Sequence, residues 1–177
     1  MTPVLVTSPA TEAVTLAELK AHLRILHADE DVLIQSLGTA ATAYLDGWKG
    51  ILGRAIMPQT WRDEFPGWGC LRLSLPDVSG VVVSYVDAAG DSFPAAEFKL
   101  FGDAMGAYVE ASGPSASVVH VEYTCGLPVA QLALIKVAIK MLVAHWYENR
   151  SGAAQAGLAE VPLAFSAMIT PLRWVSP

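Results

Sequence analysis

Cysteine is nearly absent from this 177-residue chain: only Cys70 and Cys125 occur, with no metal-ligand spacing between them. A disulfide scaffold and a structural zinc site are thereby excluded, and both residues read as reduced thiols of a cytosolic product. Charge is also scarce. Charged residues make up 16% of the chain, and eleven Lys and Arg against seventeen Asp and Glu give a net charge of −6. The basic residues are scattered, so tight wrapping of duplex DNA is not expected, although a protein that merely surrounds passing DNA has reason to be acidic. The N-terminal stretch MTPVLVTSPATEAV has neither a basic region nor a long apolar run, so no secretory signal is read there. The longest apolar segment is interrupted by Lys136 and Lys140, which argues against a membrane span. Internal repeats are missing, as is any low-complexity tract before residue 151.

What the chain does have is apolar surface, 53% by composition, enough for one domain with its own core. Thr15 and Glu18 form a capping-box pattern at the start of a first helix, with Val14 placed to staple to Leu19. Leu16, Leu19, Leu23 and Leu26 follow as its inward stripe. Asp29, Glu30 and Asp31 put negative charge at the start of a second helix, whose spacing predicts an inward row of Leu33, Leu37, Ala41, Tyr44 and Trp48. Ala40, Ala41 and Ala43 would let a neighbour approach closely, and Gly47, Gly50 and Gly53 end the helix near Trp48.

From Gln59 to Cys125 the period changes to two. Leu71, Leu73 and Leu75 share one face, VVVSYVD runs into the turn DAAGD, and further strands are expected at 97–101, 107–110 and 118–124. Pro128 then opens a third helix, PVAQLALIKVAIKMLVAHWYENR, apolar nearly all round. Such a helix must be covered by protein, so Leu134, Val137, Met141, Trp146 and Tyr147 are assigned to core or to a subunit interface. The expected class is α+β: a small bundle of three to four helices with a short antiparallel sheet inserted between the second and third. Residues 1–150 form the core with the insertion at 59–125, 151–162 a tether, and 163–177 an apolar C-terminal segment with a short helix from Leu163 to Thr170. That segment has two readings. It either folds back to complete the chain's own bundle or engages another subunit as a helix in a groove.

No catalytic constellation is legible. His145 and Glu148 are three apart on the third helix but supply only two of the four ligands that a structural zinc needs, and His22, His27 and His120 stand alone. Neither cysteine sits beside an oriented base. GWKGILGR follows no strand and lacks the ending of a phosphate loop. Neither a metal nor a cofactor is expected, and an enzyme is not. Lys136 and Lys140 form a narrow basic stripe that suits a solvated face, an acidic partner or a DNA lining.

The order TLAELKAHLRI, HADED, YLDGW, GRAIMPQTW, YTCGLP, LVAHWYENR and PLAFSAMITPLRW resembles the head-tail connector, or adaptor, proteins of tailed bacteriophages and gene transfer agents, over nearly the whole chain. The resemblance implies a structural protein of the particle neck, made in the bacterial cytoplasm. It would assemble as a ring of about twelve copies on the portal, offer a platform to a stopper or tail, and let duplex DNA pass without tight binding. It also implies that the C-terminal segment engages the portal, which here would assign Leu163, Phe165, Met168, Ile169, Leu172 and Trp174 to docking. LDGWKGILGR carries extra residues relative to the family's usual junction, a local loop that could alter a subunit contact. The nearer rival is a stopper or tail-completion protein of the same neck. The remoter one is a small-molecule-binding accessory protein or enzyme.

Overall fold

In a computed structural model, which describes residues 2–95, 97–149 and 163–175, the order of elements is β1 (Val4–Thr7), α1 (Leu16–Leu23), α2 (Asp31–Leu45), then seven strands. These are β2 (Gln59–Phe65), β3 (Gly69–Arg72), β4 (Val78–Val86), β5 (Ser92–Pro94), β6 (Glu97–Asp103), β7 (Gly106–Ser112) and β8 (Val118–Cys125). Helix α3 (Val129–Glu148), α4 (Leu163–Ile169) and a 3-10 turn at Thr170–Leu172 complete the chain. The class is α+β, as read from the sequence. The tether at 151–162 lies outside the described residues.

Local chemistry starts α1 as its sequence implies. The Thr15 amide donates to Glu18 Oε2 at 2.8 Å, and the Glu18 amide donates to Thr15 Oγ1 at 3.3 Å. The helix stops earlier than its leucine spacing suggests, because Arg24 adopts a left-handed conformation at φ 59°. Leu26 therefore lies beyond the helix and is 97% exposed rather than part of the inward stripe. The buried row of α2 is also turned by about one position: Ile34, Gly38, Ala41 and Leu45 face inward, while Leu33 and Leu37 are half-buried and Tyr44 is exposed. Gly38 sets this rotation. A Cβ there would lie 2.6 Å from Leu19 Cδ1, so Gly38, rather than Ala40 or Ala43, is where α1 approaches.

The β region is larger than one short inserted sheet. Its strands form a five-stranded antiparallel sheet ordered β1-β2-β8-β4-β5 and a three-stranded one ordered β3-β7-β6. Strand β8 is central, and its inward residues Val119, Val121, Tyr123 and Cys125 alternate with half-exposed neighbours, the two-residue period of a strand covered on one face. Leu71, Leu73 and Leu75 point into the same core, as their alternation implies. The N-terminal segment, which carries no clear strand signal in sequence, joins as an edge strand.

Apolar burial falls into two clusters. One lies among the helices around Leu19, Ile34, Leu45, Ile135, Ile139 and Leu142; the other lies between the sheets around Val83, Val109, Val121 and Tyr123. By length and composition alone α3 would qualify to cross a membrane. Its row Ile135, Ala138, Ile139, Leu142 and Val143 is buried in the helical cluster, and Lys136 approaches Glu18 at 3.6 Å, which mark it as a core helix of this fold.

Candidate functional site: the seat of the C-terminal segment

The chain between α2 and β2 turns back on itself. The Gly47 amide bonds Arg54 O at 2.8 Å, the Ile51 amide bonds Tyr44 O and the Leu52 amide bonds Leu45 O, so residues 46–54 form a closed loop over the end of α2. Gly47 at φ 76° and Gly53 at φ 61° supply the left-handed turns it needs. Asp46 holds the loop's base by accepting from the Ile56 amide at 2.6 Å and from Gln59 Nε2 at 3.0 Å. Burial pushes the Asp46 carboxyl above its usual range, against the pull of those donors.

The loop presents free carbonyls, and the C-terminal segment takes them. The Trp174 amide donates to Leu52 O at 2.7 Å, and Arg173 Nε donates to Ile51 O at 3.2 Å. Gly53 meets the segment so closely that a Cβ would lie 2.4 Å from Trp174 O, and a Cβ on Gly106 would lie 2.9 Å from the Trp174 ring. Arg54 ties the layers together. Its Nη1 donates to Gln131 Oε1 at 3.0 Å and to Leu172 O at 3.3 Å, its Nη2 donates to Asp77 Oδ1 at 3.1 Å, and its Nε lies 2.9 Å from Asp77 Oδ2. One guanidinium thus joins α3, the start of β4 and the C-terminal segment, the multi-donor role that a lysine could not fill. Burial raises the Asp77 carboxyl above its usual range despite Arg54.

The candidate docking residues divide accordingly. Phe165, Ile169 and Leu172 are buried in the chain's own helical core, Met168 packs against that core in part, Trp174 is half-buried on the loop, and Leu163 is 88% exposed. In the single chain, then, the segment folds back to complete the bundle. The short helix is one residue shorter than its pattern suggests, because Thr170–Leu172 tightens into a 3-10 turn that contains Pro171. Of the α3 candidates, Leu134, Trp146 and Tyr147 pack against the helical core, with Tyr147 donating its hydroxyl hydrogen to Glu30 and Trp146 meeting Tyr44 edge-on at 6.1 Å. Val137 is exposed and Met141 half-buried. LDGWKGILGR, singled out in sequence only as an unusual junction, is the loop that seats the tail. Nothing local in the sequence marks Arg54, a cation whose partners stand at positions 77, 131 and 172.

The polar interior is structural in character. Asp63 accepts from the Ser74 amide at 2.8 Å and from Ser74 Oγ at 3.1 Å, pinning β2 to the chain after β3. Burial raises its carboxyl above the usual range, and burial with Asp63 beside it keeps the Tyr123 phenol protonated. The Cys125 thiol is pushed up to about 12 by burial, then by the charges of Asp77, Asp46 and Asp63, so it offers no thiolate nucleophile. Among the described residues no group of three His, Cys, Asp or Glu is placed to hold a metal. An open trough of about 900 Å³ on the three-stranded sheet, lined by Cys70, Phe98, Lys99 and Glu110, brings together no buried polar groups.

No protein-family model matches the chain, and no curated protein does. A solved structure matches over its whole length: a chain in the neck of an empty GTA particle, computed with C6 symmetry, has a TM-score of 0.75 and 26% sequence identity. The match covers 99% of this chain and 96% of that one. This chain is structurally related to a gene transfer agent neck protein. The relationship supports the head-tail connector resemblance carried by its motifs. It extends through the β region and the C-terminal segment, since almost nothing of either chain is left over.

Proposed function

We propose that this chain is a non-enzymatic structural component of the neck of a tailed-phage-like particle: an adaptor that forms a ring on the portal, surrounds the DNA path and offers a platform to the stopper or tail. The observation that carries this reading is the end-to-end likeness to a neck chain, at 26% identity and across 99% and 96% of the two chains. The C6 symmetry of that neck favours a ring whose copy number suits sixfold repetition, and the twelve copies implied by the sequence resemblance meet that condition. The net charge of −6 suits a conduit that lets duplex DNA slide, because few counterions would be released on contact.

The tail bears on how the portal would be engaged. Withdrawing Phe165, Ile169 and Leu172 from the core would forfeit roughly 1.5–3 kcal/mol for each fully buried side chain, before the Arg54 contacts are counted. Keeping them seated and presenting the outward side costs far less. The portal contact is therefore assigned to exposed Leu163 and Val175, with the half-buried Met168 and Trp174 beside them, while the inner row holds the segment in place. Val137 and Met141, one turn apart on α3, are among the helical residues available to a neighbouring copy.

Electron microscopy of particles made without this protein tests the reading. An adaptor predicts filled heads with bare, leaking portals. Heads that keep a collar but lack tails would assign the chain to the stopper, and normal tailed particles would remove it from the neck.

A further inference from the structure

Open sheet edges invite another chain, and proteins usually blunt them with charge, proline or a covering element. Among the described residues no other element covers two of these edges, one of which carries Glu97, Lys99 and Asp103 and the other of which is bounded by Pro3. Strand β1 is outermost in the five-stranded sheet and β6 is outermost in the three-stranded one. Every residue of both strands is exposed. On β1, Val4, Leu5 and Val6 are 46%, 42% and 45% exposed, and on β6, Phe98, Leu100 and Phe101 are 38%, 40% and 38% exposed. Half of the large apolar side chains exposed among the described residues lie on β1 or between Phe93 and Met105. The remaining edges are poorer templates: β5 is three residues long and ends in Pro94, and β3 turns Leu71 into the core.

Resting on the ring reading above, we infer that β6 of one copy receives β1 of the next as a fourth strand of its sheet, and that this contact closes the ring. The two edges differ, so pairing one with the other is heterologous and repeats from copy to copy, which is what a cyclic assembly requires; pairing β6 with β6 would stop at a dimer. The chemistry is compatible. Strand β1, VLVT, brings no charge to bury; it is four residues long, bounded by Pro3 and irregular in its pairing between Leu5 and Thr7, which confines any pairing to a short stretch. On β6, Asp103 is already satisfied by Arg72, whose Nη1 and Nη2 donate to it at 2.9 and 2.8 Å. Phe98 and Leu100 share one face of β6 and Glu97 and Lys99 lie on the other, so hydrogen bonds would set the register and the Phe98–Leu100 face would be removed from water.

Edge complementation tests this with the full-length protein. Leu5→Lys blocks one edge and Phe98→Lys the other, and circular dichroism with thermal melting checks that both variants remain folded. Analytical ultracentrifugation should find the wild type associating with concentration and each variant monomeric, while an equimolar mixture of the variants gives a heterodimer through the one intact pair of edges. Hydrogen exchange on the wild type gives a second readout, with β1 and β6 amides gaining protection of tenfold or more as association proceeds. If Leu5→Lys still forms a dimer, pairing is β6 with β6 and the inference is overturned. If both variants assemble like the wild type, the edges are not the contact, although a ring built through other surfaces would survive. A wild type that stays monomeric to its solubility limit, or whose edge amides exchange at an unchanged rate, overturns the edge pairing. Whether particles carry a ring is decided separately by their images.

Discussion

The helical half and the β half of this molecule each bury an apolar core but expose apolar side chains differently, singly on the helices, as at Val32, Val129 and Leu163, and in runs along strand edges. Among the helices the inward rows are sealed, and even the C-terminal segment is recruited, so that Phe165 is 2% and Ile169 6% exposed. Among the strands, β1 and β6 leave apolar residues bare along open edges. Hydrophobicity in the sequence is therefore a poor guide to exposure: the oiliest stretch, α3, seats its inward row in its own chain, while the less conspicuous EFKLFGD lies open. What separates the two is edge satisfaction. A helix completes its backbone hydrogen bonds internally, whereas an outer strand keeps a row of them unmet.

Substitutions can break each side of that contrast. Phe165→Ala should have the largest effect, lowering stability by roughly 3–5 kcal/mol in denaturant unfolding, because a buried aromatic leaves a cavity. An unchanged midpoint would mean that the segment does not seal the helical core. Arg54→Ala comes next, at about 3 kcal/mol, since it strands Asp77 and releases the Gln131 and Leu172 contacts. Gly53→Ala should cost roughly 1–2 kcal/mol through its left-handed backbone, and its Cβ would press on Trp174 O, so hydrogen exchange at the Trp174 amide should rise well ahead of global unfolding.

A smaller, pH-dependent effect is expected at Asp63. Its carboxyl is raised in the folded state, so its contribution is fully present below the unfolded value of about 3.9 and declines as pH rises through the folded one. Wild type should therefore gain stability relative to Asp63→Asn on acidification from neutrality toward that range, and a pH-independent difference between the two would contradict the buried-carboxylate account. Leu26→Ser should change stability least, by less than about 0.5 kcal/mol, since Leu26 touches no core.

Legibility followed the range of the forces involved. The Thr15–Glu18 capping box, the Leu71–Leu73–Leu75 face, the DAAGD turn and the start of α3 at Pro128 depend on neighbours within a few residues, and their patterns were plain. The inward row of α2 differs by one position from its apolar spacing because a tertiary approach at Gly38 sets the helix rotation. Leu26 falls outside the stripe its spacing implies because the left-handed Arg24 breaks the period early. The seat of the tail joins positions 51–54, 77, 106, 131 and 174, and no local pattern connects them. The family resemblance reached further than any of these local signals, since it reads many positions at once.

The central claim is that this fold stands in a particle neck with its C-terminal segment seated on its own core. A high-resolution electron microscopy map of the neck of particles carrying this chain tests it most directly. The account predicts a ring of this fold between head and tail, with Phe165, Ile169 and Leu172 packed inside the protomer that bears them. A neck without this fold, or one in which those three side chains are lodged in another protein, would contradict it.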